Sequence, residues 1–226
     1  MPINKTKKNF KSRITIIHIN SHHFRMEFYH RLITEKSFKI LQDLRKKFDF
    51  ILIGGWAIFF YTKALKSKDI DIIVDYDQLE KFKKNFSIFK NERLKKYEVK
   101  IEEIDIDIYL PYFSDLKFPI EEIKNYLQSL EGFKVAIPEI LLILKIETYT
   151  ERKGTTKGEK DFLDIFILIS KKKIDWKVYK ELIKKYNLKE TNQKLKEIVS
   201  LARTIPQLNL LNHQISRLKK EILEKI

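Results

Sequence analysis

Residues 51–74 read ILIGGWAIFFYTKALKSKDIDIIV. The apolar stretch 50–53 stops at Gly54-Gly55, which predicts a buried strand ending in a turn. Residues 56–63 predict a short helix. After Gly55 and a spacer of thirteen residues come Asp69-Ile70-Asp71, and the alternation through residue 74 predicts a second strand. Only five glycines occur in 226 residues, against a usual share of ~7%. A chain so sparing of glycine places an adjacent pair where a side chain cannot fit, and where backbone N–H groups can approach a phosphate. A plain tight turn would leave the same letters. On a strand the carboxylates of Asp69 and Asp71 project from one face, about 6.5–7 Å apart. Paired acids of this kind suit a hard, oxygen-seeking cation such as magnesium.

Asp105-Ile106-Asp107 repeats the pattern within a predicted strand at 104–110. If the two strands are neighbours, three carboxylates converge on one site. That geometry serves two-metal phosphoryl or nucleotidyl transfer, with ions about 3.5–4 Å apart. The competing interpretation is an alternating strand with one solvated face.

Outward from this stretch, Phe38, Leu41, Leu44 and Phe48 recur at helical spacing and predict a helix from Thr34. Asp77 with Glu80 predicts a capped helix over 77–88. Residues 95–101 predict a strand, and Pro111 ends the strand at 104–110. A helix is expected over 119–130, a short strand over 133–136, and a helix from Pro138 to about Arg152. Residues 153–160 read as a polar loop bearing Gly154 and Gly158. Helices are expected at 162–170, 177–186, 188–202 and 208–226. The expected fold class is therefore α/β (α+β), a small mixed sheet with helices followed by a helical C-terminal half. The chain divides into a basic arm at 1–25, a core at 26–115 and a helical region at 116–226.

Composition bounds the rest. Hydrophobic residues are 43% and charged residues 34%, a globular balance. With no cysteine, disulfide frameworks, thiolate metal sites and cysteine nucleophiles are excluded. The apolar runs at 50–61 and 140–144 are too short to span a bilayer, and no signal-peptide core is visible, so a cytoplasmic location without membrane contact is expected. The net charge of +15 favours polyanionic partners. Residues 1–25 hold six Lys and Arg and no acid, and Arg13–Ile19 alternates weakly enough to suggest an edge strand. His18, His22 and His23 lack a common metal-ligand spacing. Abundant Lys, Ile and Glu is compatible with a thermophile.

The pattern Ile53-Gly54-Gly55, a spacer, then Asp69-Ile70-Asp71-Ile72 resembles the signature of the DNA polymerase β-like nucleotidyltransferase superfamily. The stretch 54–74 further resembles the AbiEii-type branch, which includes type IV toxin nucleotidyltransferases. In that branch a later helix carries a Lys and an Arg, and a second carries Lys-Asp and another Asp. Lys145, Arg152, Lys160-Asp161 and Asp164 stand here in that order. The resemblance covers about residues 35–170. It implies that Gly54 and Gly55 seat the triphosphate of an NTP, and that Asp69, Asp71 and a third carboxylate hold Mg2+, with two ions. Asp107 fits the third position best and Asp105 is the alternative. Ser67 and Lys68 are candidate phosphate contacts. The resemblance further implies an NMP transferase acting on a hydroxyl acceptor such as tRNA or other RNA, and, for a toxin, a cognate antitoxin.

Lys145 ends the apolar run 140–144, where a lysine either snorkels to the surface or meets an anion; beside a triphosphate it would neutralise developing charge. Arg152, Lys157 and Lys160 cluster around the two glycines of the expected loop. Asp161 and Asp164, three apart on a helix, would orient Lys145 or Arg152 by ion pairing. The P-loop spacing is missing, as are the glycine of a calcium loop and a Gly-x-Ser-x-Gly element. The alternative function is a non-catalytic nucleotide- or RNA-binding regulatory protein of the same fold.

Overall fold

A computed structural model describes residues 10–171, 173–203, 205, 208 and 211–226, with side chains from residue 29 onward. Helix α1 (Phe10–Lys47) is followed by β1 (Ile51–Ile53), α2 (Gly54–Thr62), β2 (Ile70–Ile73), α3 (Tyr76–Asn85), β3 (Ile88–Asn91), β4 (Lys96–Ile101) and β5 (Ile104–Tyr109). Then come α4 (Ile120–Ile123), β6 (Leu127–Leu130), β7 (Phe133–Ala136), α5 (Pro138–Arg152), α6 (Thr156–Ser170), α7 (Trp176–Lys185), α8 (Lys189–Leu201) and α9 (Asn212–Lys225). This is the mixed α/β class expected; β6 and β7 extend the sheet into the second half, and the described elements from α5 onward are helices.

The described strands form one seven-stranded sheet in the order β3-β4-β5-β2-β1-β7-β6. β1 runs antiparallel to β2 and parallel to β7, and β2 runs parallel to β5. Alternation dictates which side chains enter the core. Ile104, Ile106 and Ile108 are fully buried, as are Ile70 and Ile72 on the neighbouring strand, so the intervening aspartates face the other side. Leu41 and Leu44 of α1 bury their apolar stripe, and Phe48 stacks on Phe82 of α3 at 3.9 Å. The indole N–H of Trp56 donates to Ser37 Oγ at 2.9 Å, pinning α2 to α1 with its one polar atom satisfied.

Several local expectations are corrected. The helix expected from Thr34 begins at Phe10, so the weak alternation at Arg13–Ile19 makes no edge strand. The side chains of the basic arm at 1–25, including its three histidines, lie outside the described residues. Asp75, not Asp77, sits at the start of α3, with no side-chain cap. That helix ends at Asn85, freeing Ile88–Asn91 to pair with β4 as an edge strand. The helix expected over 119–130 shrinks to one turn, because Leu127–Leu130 pairs antiparallel with β7. The stretch read as a loop at 153–160 is largely helix. Thr155 accepts the Gly158 N–H at 3.1 Å and caps α6, so Lys157, Gly158 and Lys160 sit on its first turns.

Candidate active site

The parallel β2–β5 pair sets Asp71 directly opposite Asp107, on strands spaced about 4.8 Å apart. Asp69 lies two residues earlier, just ahead of β2. All three line a cleft of about 590 Å3, together with Gly54, Gly55, Ser67, Lys145, Arg152, Lys160 and Asp161. Asp164 does not line the cleft but is ion-paired with Lys145 at 2.8 Å. Lys68 is half-buried outside the cleft, and Asp105 is exposed and paired with Lys100 at 3.8 Å.

The paired glycines have a steric reason. Gly54 opens α2 with φ +67, and a Cβ there would lie 2.1 Å from Asp71 Oδ2. A Cβ on Gly55 would lie 2.7 Å from Ser67 Oγ. Helix α2 starts at this point without a side-chain cap, so its first N–H groups are left without a side-chain partner where Gly54 and Gly55 line the cleft. Gly54→Ala is expected to cost about 1–2 kcal/mol from the left-handed backbone alone, and more because Asp71 must move. Urea denaturation of the variant checks this; an unchanged midpoint would contradict the packing of Asp71 against Gly54.

The acids differ in their partners. Asp69 and Asp71 make no hydrogen bond or ion pair with any described side chain, although both are half-buried. Burial first, and then the charge of Asp107, pushes the Asp71 carboxyl up to about 6. Asp107 is also raised, chiefly by burial, against the opposing bond from Lys96. Two unpartnered acids held against a third fit a cation. No set of three His, Asp or Glu side chains is yet drawn together closely enough to hold a metal ion among the described residues. On β4, Lys96 Nζ donates to Asp107 Oδ2 at 2.6 Å and lies 3.0 Å from Glu98 Oε1.

The folded-state pKa of Asp71 exceeds its ordinary value of 3.8, so the native state binds the proton more tightly than the unfolded one. Its contribution to stability is greatest at low pH and is lost as pH rises through about 6. Metal-free wild type should therefore lose melting temperature relative to Asp71→Asn between about pH 4 and pH 6, and little further above it. A difference between the two proteins that is flat with pH would contradict this.

Across the cleft, Lys145 Nζ sits 2.6 Å from Asp161 Oδ1 and 2.8 Å from Asp164 Oδ2. Burial alone would lower this lysine, but Asp164 and Asp161 hold its ammonium well above the usual range. Arg152 approaches Asp161 Oδ2 at 3.7 Å, and Lys160 donates to Ser67 Oγ at 3.1 Å. The structure thus gathers Gly54, Gly55, Ser67, Asp69, Asp71, Asp107, Lys145, Arg152, Lys160 and Asp161 at one place. Lys96 and Arg93, which also line the cleft, were not singled out in the sequence. A lysine at the start of an alternating strand looks like any solvated lysine, and only the register with β5 shows where Lys96 points.

No family model matches the chain. No curated protein matches it in sequence. Among solved structures, the Megavirus polyadenylate synthase shares 13% identity over 77% of this chain and 40% of its own, with a TM-score of 0.47. The chain therefore spans about two fifths of that enzyme. A protein of H. pylori described as a nucleotidyltransferase shares 15% identity over 86% of this chain and 93% of its own, with a TM-score of 0.47. The antibiotic-resistance factor ANT(2'')-Ia shares 13% identity over 74% of this chain and 98% of its own, with a TM-score of 0.50. No described helix is long and apolar enough to cross a membrane. At 13% identity and a TM-score of 0.50, the likeness to ANT(2'')-Ia is one of fold alone, a mixed α/β fold.

Proposed function

We propose that this chain is a magnesium-dependent nucleotidyltransferase that moves an NMP from an NTP to a hydroxyl acceptor. The observation that carries the proposal is the register of Asp71 against Asp107 beneath Gly54, whose missing side chain makes room for the Asp71 carboxylate. Asp69 and Asp71, with Asp107 beside them, would hold the magnesium. When bound, the ion would polarise the phosphates and offset the negative charge of the acids.

The chain's own groups divide the remaining work. The N-terminus of α2 and the hydroxyl of Ser67 would receive phosphate oxygens, with Lys160 and Arg152 supplying positive charge at the same wall. Asp107 would orient the acceptor hydroxyl and take its proton, on Oδ1 because Lys96 occupies Oδ2. The acceptor oxygen forms a bond to the α-phosphorus as the bond to the bridging oxygen breaks, and pyrophosphate leaves with that electron pair. Lys145, ion-paired with Asp161 and Asp164, would supply positive charge to the leaving phosphates from the same wall.

RNA, tRNA included, is the proposed acceptor class. The net charge of +15 and the resemblance to the toxin branch of AbiEii-type enzymes support it, as they do a toxin role with a cognate antitoxin. The test is incubation with each α-labelled NTP, magnesium and total RNA, beside Asp69→Asn/Asp71→Asn. Label should enter RNA with the wild type alone. RNA or nucleotide binding without transfer by either protein would instead favour a non-catalytic regulatory protein.

A further inference from the structure

Lys96 has no role in the scheme above beyond occupying an oxygen, yet its placement is specific. It begins β4, is 9% exposed, and lines the cleft together with Asp69 and Asp71. Glu98 pairs across the strands with Asp107, and two acids directly opposite on one sheet face repel. The Lys96 ammonium sits against both, 2.6 Å from Asp107 Oδ2 and 3.0 Å from Glu98 Oε1. Asp69 and Asp71 receive no such partner from any described side chain. The cleft is therefore divided into a pair of acids left open and a third acid already bonded to a cation of the chain itself.

We propose that Lys96 is a resident cation at Asp107, standing where a second divalent ion would otherwise bind, so that the chain takes up one divalent ion with its nucleotide rather than two. An ion reaching Asp107 Oδ2 would have to break a short charge-assisted bond. It would also strand a nearly buried ammonium beside a new positive charge, which is unfavourable at such range. Lys96 holds Asp107 Oδ2 in a short charge-assisted bond and so aims the carboxylate, acting as a positioning residue.

The inference rests on the proposed nucleotide site, and the test separates the two. Manganese bound per chain is measured by electron paramagnetic resonance, with a non-hydrolysable α,β-methylene nucleoside triphosphate present. Wild type should bind one manganese ion per chain, Lys96→Met two, and Lys96→Met/Asp107→Asn one again. Asp107→Asn alone should stay at one, which keeps the idea testable if the Lys96 variants fail to fold. Two ions on the wild type, or one on a folded Lys96→Met, would overturn the inference and leave the nucleotide site standing. No manganese-nucleotide binding by the wild type would overturn the nucleotide site and the inference with it.

Discussion

Asp71→Asn is expected to lower nucleotidyl transfer by about 10^3-fold or more while the chain stays folded. The carboxylate sits against Gly54 and opposite Asp107, and an amide of the same shape fills that space. What it loses is the negative charge and, in the proposed mechanism, several kcal/mol of cation-dependent stabilisation of the transition state; about 4 kcal/mol corresponds to ~10^3 in rate. Because burial and Asp107 both oppose ionisation of Asp71, the variant should melt at or above the wild-type temperature at neutral pH. Initial rates and thermal melts on one preparation check both halves. A folded variant retaining more than a tenth of the activity would remove Asp71 from the chemistry.

Lys145→Met is expected to be the most destabilising single change at the cleft, by about 3–5 kcal/mol. Asp161 and Asp164 have side chains only 4% and 2% exposed, and the lysine is the cation closest to both. Removing it leaves two buried acids with, among the described residues, only Arg152 in an ion pair with one of them. The triple variant Lys145→Met/Asp161→Asn/Asp164→Asn should recover most of the stability, since a charge network removed whole costs less than one broken. It should not recover transfer if the ammonium also serves the phosphates. Denaturant midpoints and rates of the two variants separate anchoring from chemistry: an equal loss of stability in both would show that the ion pairs contribute little.

The central stretch was legible because its letters are constrained twice over. Gly54 must be glycine for a left-handed backbone and for Asp71 to approach, and the Ile-Asp alternation of β2 and β5 must bury one side and leave the acids on the other. Elsewhere one physical cue competed with another. Ile120, Ile123, Leu127 and Leu130 are spaced like a helix face, but Leu127–Leu130 finds a strand partner in β7, and tertiary pairing outweighs local periodicity. Ile88–Asn91 is too short and too exposed to announce an edge strand beside a helix. At α6, glycine and lysines masked a helix start that Thr155 could have signalled as a cap. Asp105 and Asp107 share one face of one strand, and only the register with β2 separates them: Asp107 lies across from Asp71, while Asp105 turns to Lys100 in solvent. Lys96 had no sequence signal, because its role depends on a strand that follows it.

The most direct measurement compares ATP labelled on the α-phosphate with ATP labelled on the γ-phosphate, each incubated with the chain, magnesium and RNA. Nucleotidyl transfer predicts label in the RNA from the α-labelled substrate only, with labelled pyrophosphate released from the other. Label entering RNA from the γ-phosphate, or from neither while inorganic phosphate accumulates, would contradict it.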